Sequence, residues 1–285
     1  MSDARLVAVL GIGVVGDPSA PVLAADDLGL TRGDGCFDAT RLMVGPDGSI
    51  HVDHLDAHLA RFARSADALG LPVDESAWRE LIAKALAAWT TPGESVLRVM
   101  LTRGRESGGS PTGVLTIAPL DERTIAAREG ITVVTLSRGH ASDAFVDAPW
   151  LLGGVKTLSY AVNLAAGREA TRRGADDVLF VSSDGVVLEG PRSALVWRTG
   201  DRLATTRVDG TGVLASITQA AIFEAADAAG IPTAYELIGL DALLRCDGAW
   251  LVSSGRLVAP VRAVDGRSMA HDDEWTDRIR RLATP

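Results

Sequence analysis

Lys84 and Lys156 are the only lysines in a chain that carries 26 arginines, and each raises the question of what an amine does there that a guanidinium does not. An amine can lose its proton and attack a carbonyl, whereas guanidinium stays protonated and forms no Schiff base. Lys84 lies four residues after Glu80, on the polar side of a helical segment over 76–89. The apolar set of that segment is Trp78, Leu81, Ile82, Ala85, Leu86 and Trp89, and a surface ion pair accounts for the lysine. Lys156 stands in Gly153-Gly154-Val155-Lys156-Thr157-Leu158-Ser159-Tyr160, between an apolar run and a helical pattern, where spacing offers no such explanation. It is the candidate catalytic amine. Scarce Lys beside abundant Ala, Gly and Arg also fits a GC-rich genome, so residue type alone leaves its role open.

Three other groups complement such an amine. Ser216-Ile217-Thr218-Gln219 follows Gly210-Thr211-Gly212-Val213-Leu214-Ala215 and opens a helical pattern. Unbonded amides and the positive end of the helix dipole suit a phosphate there, with the Thr218 hydroxyl as an added donor; an ordinary N-cap is the plainer reading. Arg61 lies on an earlier helix, with no acid four residues before or after it, and could add a bidentate contact to the same phosphate. Glu189 ends the apolar run Val187-Leu188, where a carboxylate is either solvated or aimed at a buried cation such as a protonated pyridine nitrogen. A Schiff-base lysine, a phosphate-binding helix start and an acid for a ring nitrogen are together what pyridoxal 5′-phosphate requires.

Other motifs are weaker. Gly11-Ile12-Gly13-Val14-Val15-Gly16 spells a dinucleotide fingerprint, but Pro18 and Pro21 follow where the fingerprint needs a helix, so a glycine-rich strand turn is expected. His51, His54 and His58 lack the Glu or Cys that would complete a zinc pattern, and they read as helix-start and surface histidines with no metal.

The elements that must position these residues alternate. Strands are expected over 5–15, 37–44, 96–102, 113–119 and 131–137, and helices over 54–70 and 76–89. Farther on come a helix over 160–173, a hairpin of 177–182 and 186–189, and strands at 193–197 and 202–206. A helix from Ser216 to Gly230, strands at 233–238, 249–253 and 257–264, and a short polar helix complete the chain. The pattern is α+β in two parts: residues 1–120, a charged linker at 121–130, and 131–285. With 285 residues, 47% hydrophobic and 23% charged, the chain has the composition of a globular protein. Its net charge of −9 argues against nucleic acid and anionic membranes as partners. No apolar stretch reaches the ~18 residues of a membrane span, the N-terminus lacks a convincing signal-peptide site, and Cys36 and Cys246 suggest no disulfide framework. A cytoplasmic enzyme acting on a small molecule is expected.

The ordered motifs resemble fold-type IV pyridoxal-phosphate enzymes, the family of aminodeoxychorismate lyase and of the D-amino-acid and branched-chain aminotransferases. The resemblance runs from about residue 25 to 265. It is carried by Asp27-Leu28-Gly29-Leu30-Thr31-Arg32-Gly33-Asp34-Gly35-Cys36-Phe37, His58-Leu59-Ala60-Arg61-Phe62, Thr102-Arg103-Gly104, Val155 to Tyr160, Leu188-Glu189-Gly190 and Leu214 to Thr218. The Arg32 to Phe37 and Lys156 to Asn163 runs look most like aminodeoxychorismate lyases of actinobacterial type. The resemblance implies a small N-terminal α/β domain, a larger barrel-like C-terminal domain, pyridoxal 5′-phosphate as cofactor and a homodimer. It makes Lys156 the cofactor-bound lysine and proton shuttle and Glu189 the partner of the pyridine nitrogen. Arg61, Ile217 and Thr218 become phosphate ligands, Leu214 the residue packed on the ring, and Arg103 a candidate for a substrate carboxylate. Relatives often have Asn where this chain has Ala194, and Thr near Val252-Ser253-Ser254-Gly255-Arg256, where Ser253 or Ser254 could substitute. The implied reaction converts 4-amino-4-deoxychorismate to 4-aminobenzoate and pyruvate, within folate biosynthesis. An aminotransferase using the same residues, on D-amino acids or branched-chain amino acids, is the alternative, and a non-catalytic protein keeping the fold is a third.

Overall fold

The computed structural model describes residues 5–283. The chain forms two compact units, one made of residues up to 121 together with 155–159, the other of 122–154 and the residues from 160 onward.

The first unit is built on a six-stranded antiparallel sheet of β1 (Leu6–Val9), β2 (Gly13–Val15), β3 (Gly35–Val44), β4 (Ile50–Val52), β5 (Gly93–Thr102) and β6 (Thr112–Pro119), in the order β2-β1-β6-β5-β3-β4. The glycine-rich motif is the turn of the β1–β2 hairpin at the sheet edge, with Gly11 and Gly13 at positive φ. After α1 (Leu28–Thr31), two longer helices, α2 (Leu55–Ala68) and α3 (Glu75–Ala88), cover the sheet. Asp74 caps α3 by accepting a hydrogen bond from the Ala77 amide. Leu59, Phe62 and Ala66 of α2, with Trp78, Leu81, Ile82 and Ala85 of α3, meet Leu42, Leu97, Leu101, Leu115 and Ile117 of the sheet. Phe62 and Trp78 pack edge to face, 5.2 Å between ring centroids. Lys84 makes the expected ion pair, 2.6 Å from Glu80.

The second unit carries a half-barrel of eight strands: β7 (Ile131–Ser137), β8 (Asp177–Val181), β9 (Ala194–Thr199), β10 (Arg202–Thr206), β11 (Thr233–Glu236), β12 (Gly248–Ser253), β13 (Leu257–Val264) and β14 (Arg267–Ser268). Their order is β11-β10-β9-β12-β13-β7-β8, with β14 beside β13. β12 is buried on both faces: Ala249 and Leu251 enter one core, Trp250 and Val252 the other, which explains its unbroken apolar run. The helices are α4 (Glu122–Ala126), α5 (Ala161–Arg172), α6 (Ile217–Ala228), α7 (Leu240–Leu243) and α8 (Asp273–Ala283). α6 and α8 share the core of Ile222, Phe223, Ala226, Ile279 and Ala283.

Some details differ from expectation. Residues 121–130, read above as a linker, contain α4 and a 3-10 turn whose Ala127 is buried in the second unit's core. Residues 155–159 belong to the first unit, so the chain passes through that unit a second time around Lys156. The limb after the Ser183-Asp184-Gly185 turn is not a continuous strand, because its bonds are divided. Leu188 N–H donates to the Phe180 carbonyl, whereas Val187 N–H donates to that of Ile238. Among the described residues, no helix is long and apolar enough to cross a membrane, and no group of three or more His, Cys, Asp or Glu is placed to hold a metal.

Trp78 is fully buried at the centre of the first unit's core. Trp78→Ala is expected to lower unfolding free energy by about 3–5 kcal/mol; chemical denaturation that located the midpoint unchanged would contradict this packing.

Candidate functional site

Main-chain bonds fix the lysine in the first unit. The Phe37 amide donates to the Lys156 carbonyl (3.0 Å), the Leu158 amide to the Gly35 carbonyl (2.8 Å), and Cys36 and Thr157 form an antiparallel bridge. The segment around Lys156 is therefore an added strip on β3, which leaves the side chain as the movable part. From α2, the Ser65 hydroxyl accepts the Lys156 amide hydrogen at 3.3 Å. The half-buried ammonium lies 4.5 Å from the centroid of the Phe37 ring, a cation–π contact. Gly35 permits the close approach: a Cβ there would stand 2.5 Å from the Leu101 carbonyl oxygen and 2.8 Å from Leu158 Cδ1. Burial, with Asp38 nearby, pushes the Cys36 thiol up to about 12, so this cysteine packs as an apolar group and is no nucleophile.

Arg61 sits on α2 and is buried, as are His58 and Ser65 on the same face. Its Nε and Nη2 both donate to Asp38, each at 2.8 Å. His58, expected at the surface, is only 3% exposed, and its Nδ1 lies 2.8 Å from Asp38 Oδ1. It belongs to the apolar stripe of α2, between Leu55 and Phe62, which is why burial wins over polarity. Arg103 donates to Asp34 through Nε (2.6 Å) and Nη2 (3.3 Å), and Nη2 also reaches the Leu69 carbonyl (2.6 Å). Its side chain is 39% exposed, so this pair is largely solvent-screened.

The second unit brings together the rest. The Leu214 amide faces both oxygens of the Glu189 carboxylate, at 3.4 and 3.3 Å, and so orients it. Ser216 is the N-cap of α6, accepting from the Gln219 amide at 3.2 Å. Ile217 and Thr218 thus occupy the first turn, where a helix supplies no acceptor for its amides. Thr218 Oγ1 and Ser254 Oγ converge to 3.5 Å, whereas Ser253 Oγ accepts from the Arg256 amide, which separates the roles of the two serines. Arg128 donates to the Gly255 and Arg256 carbonyls, and Arg256 itself is paired with Asp177 at 2.7 Å, so the Ser254 loop is held from both sides. Phe145 fills the space beside Gly153 and Gly212, positions where any Cβ would collide with its ring. Ala194, where relatives often have Asn, is buried in an apolar core.

Each unit carries groups of the kind pyridoxal 5′-phosphate requires: a fixed amine in the first, and in the second an oriented carboxylate and a helix start with two hydroxyls. The sequence reading missed Ser65, Phe37, Asp38 and His58. Only Asp38 and His58 left a local signal, since both fall on inward-facing positions of their elements.

A family profile described as "Amino-transferase class IV" matches residues 35–264. A bifunctional aminodeoxychorismate lyase / D-amino acid transaminase of Mycobacterium tuberculosis is 40% identical over 267 residues, 90% of this chain and 91% of the relative. The fold IV-transaminase CpuTA1 of Curtobacterium pusillum superposes with a TM-score of 0.91 at 39% identity, covering 99% of this chain and 100% of its own. A hypothetical aminotransferase of Mycobacterium tuberculosis in its PLP-bound form gives a TM-score of 0.92 at 38% identity, with 99% of each chain covered.

Gly35→Ala is expected to part β3 from β5 or from the Lys156 strip, at a cost of about 1–3 kcal/mol. An unchanged thermal midpoint would show that the strip is not held this tightly.

Proposed function

The chain belongs to the class IV aminotransferase family, and from that membership we propose that it is a pyridoxal 5′-phosphate enzyme that converts 4-amino-4-deoxychorismate to 4-aminobenzoate and pyruvate. The observation that carries the reading is Lys156: an amine in a chain of guanidiniums, fixed by main-chain bonds to β3 and by Ser65. When bound, the cofactor supplies an aldehyde for amine attachment and a protonated ring that accepts electrons.

The chain's own groups do the remainder. Lys156 Nζ would hold the cofactor through its aldehyde and, once free, would take the proton from the substrate carbon bearing the amine. The Glu189 carboxylate, oriented by the Leu214 amide, keeps the ring nitrogen protonated. Arg61, the Ile217 and Thr218 amides and the Thr218 and Ser254 hydroxyls take the phosphate. Ser253 serves its own loop, Leu214 would pack against the cofactor, and Arg103 would exchange Asp34 for a substrate carboxylate. In the lyase direction, the freed electron pair breaks the carbon–oxygen bond to the enolpyruvyl group. That group takes up a proton and leaves as pyruvate, and the substrate ring becomes aromatic.

The likeness to a bifunctional relative favours D-amino-acid transamination as a second activity. The two reactions would share every residue up to proton removal, and transamination would need an oxo-acid acceptor besides. A homodimer in the cytoplasm goes with this reading.

Freshly made 4-amino-4-deoxychorismate, without oxo acid, is expected to yield 4-aminobenzoate over many turnovers, and Lys156→Ala to slow this by about 10²- to 10⁴-fold. Normal turnover by the variant would end the assignment of Lys156. No 4-aminobenzoate from cofactor-loaded protein that still makes pyruvate from D-alanine and an oxo acid would leave the transaminase alone.

A further inference from the structure

We propose that Asp38 and His58 are positioning residues that hold Arg61 ready for the phosphate of the cofactor. The proposal rests on the assignment of Arg61 to that phosphate.

Asp38 is 1% exposed and lies on the inward face of β3, with Cys36, Thr40, Leu42 and Val44. Arg61 and His58 reach it from one face of α2. Two parallel bonds of 2.8 Å, from Nε and Nη2, fix the plane of the guanidinium, and a third of the same length joins His58 Nδ1 to the same carboxylate. Burial alone would raise the Asp38 carboxyl, but the hydrogen bonds from Arg61 and His58 hold it well below the usual carboxylate range. Burial also pushes the His58 imidazole below its ordinary value, against the pull of Asp38. The ring is therefore neutral, and since Nδ1 faces an ionised oxygen, Nδ1 carries the proton. The described bonds join one carboxylate and one guanidinium to a neutral imidazole donor, with the Ala39 amide as a further donor to Asp38.

Two features set this cluster apart from a pair that only fills the core. One turn beyond Arg61 on α2, Ser65 holds the Lys156 amide, so a single helix face orients both the lysine and the arginine. The same sheet also contains a second buried pair, Arg41 Nε to Asp53 Oδ2 at 2.8 Å, which has no assigned ligand and serves as an internal control. A guanidinium already fixed in its plane loses less freedom when a phosphate binds than one that must be ordered at that moment.

The test compares the full-length protein, freed of cofactor, for binding of pyridoxal 5′-phosphate and of pyridoxal, which lacks the phosphate, each followed by absorbance of the lysine adduct. Asp38→Asn is expected to weaken pyridoxal 5′-phosphate by at least about tenfold while leaving pyridoxal unchanged. His58→Leu should lose part of that preference, and His58→Asn, which keeps an N–H near the Nδ1 position, should restore it. Asp53→Asn should lower stability without altering the preference. Equal loss for both ligands in Asp38→Asn would make the cluster a core element only and overturn the proposal. If Asp38→Asn does not fold, His58→Leu against His58→Asn decides in the same way. An Arg61→Gln variant separates the layers. If it keeps the preference, the phosphate assignment of Arg61 fails. If it loses the preference while Asp38→Asn and His58→Leu keep it, the positioning role fails.

Discussion

Main-chain hydrogen bonds between β3 and residues 155–159 are the constraint on which the rest of the site depends. A lysine has four rotatable side-chain bonds, so its amine is only as well placed as the backbone that carries it. Here that backbone gives up its freedom to two main-chain bonds with β3 and to one hydroxyl of α2. The consequences reach back into the sequence. Gly35 has no side chain because the strip needs the space, Cys36 is a small buried residue beneath it, and Phe37 presents a ring face to the ammonium. A run that reads Gly-Cys-Phe is the mould of one segment of backbone.

The second unit solves a different problem with the same economy of parts. The backbone amide of Leu214 faces both oxygens of the Glu189 carboxylate and helps to orient it. Arg61 is paired with Asp38, because a buried guanidinium left alone costs far more than the orientation is worth.

Much of the fold was legible in the sequence. Period-2 and helical runs marked β3, β5, β6, α2 and α3, and Ser216 followed by a helical pattern marked α6. The lysine was legible as an amine where guanidinium is the rule. Less legible was whatever depends on pairing across elements. Asp38 and Arg61 are 23 positions apart, on a strand and a helix. The alternation of β3 nevertheless places Asp38 inward, and an inward charge demands a partner. Ser65 left no local trace, because its relevant neighbour is 91 residues away. The limb at 186–189 misled for a related reason. Val187 and Leu188 are apolar because they enter two different cores, not because they extend one ladder.

The division of labour between the two cations follows from their chemistry. At three buried carboxylates, Asp38, Asp53 and Asp177, the geometric partner is arginine, whose planar fork can make parallel bonds and does not release its proton. That permanence makes arginine useless as a base. A reaction that begins by moving a proton from carbon needs a cation that can become neutral, attach to a carbonyl and be protonated again. Of the two amines, one is tied to Glu80 on an exposed helix face, while the other is half-buried over an aromatic ring on a backbone segment bonded to β3. The ring face of Phe37 lies 4.5 Å from the Lys156 ammonium, a contact that places the tip without a full counter-charge of its own. Lys156 is thus fixed at the backbone with its ammonium over an aromatic ring, the placement that the proposed reaction asks of its amine.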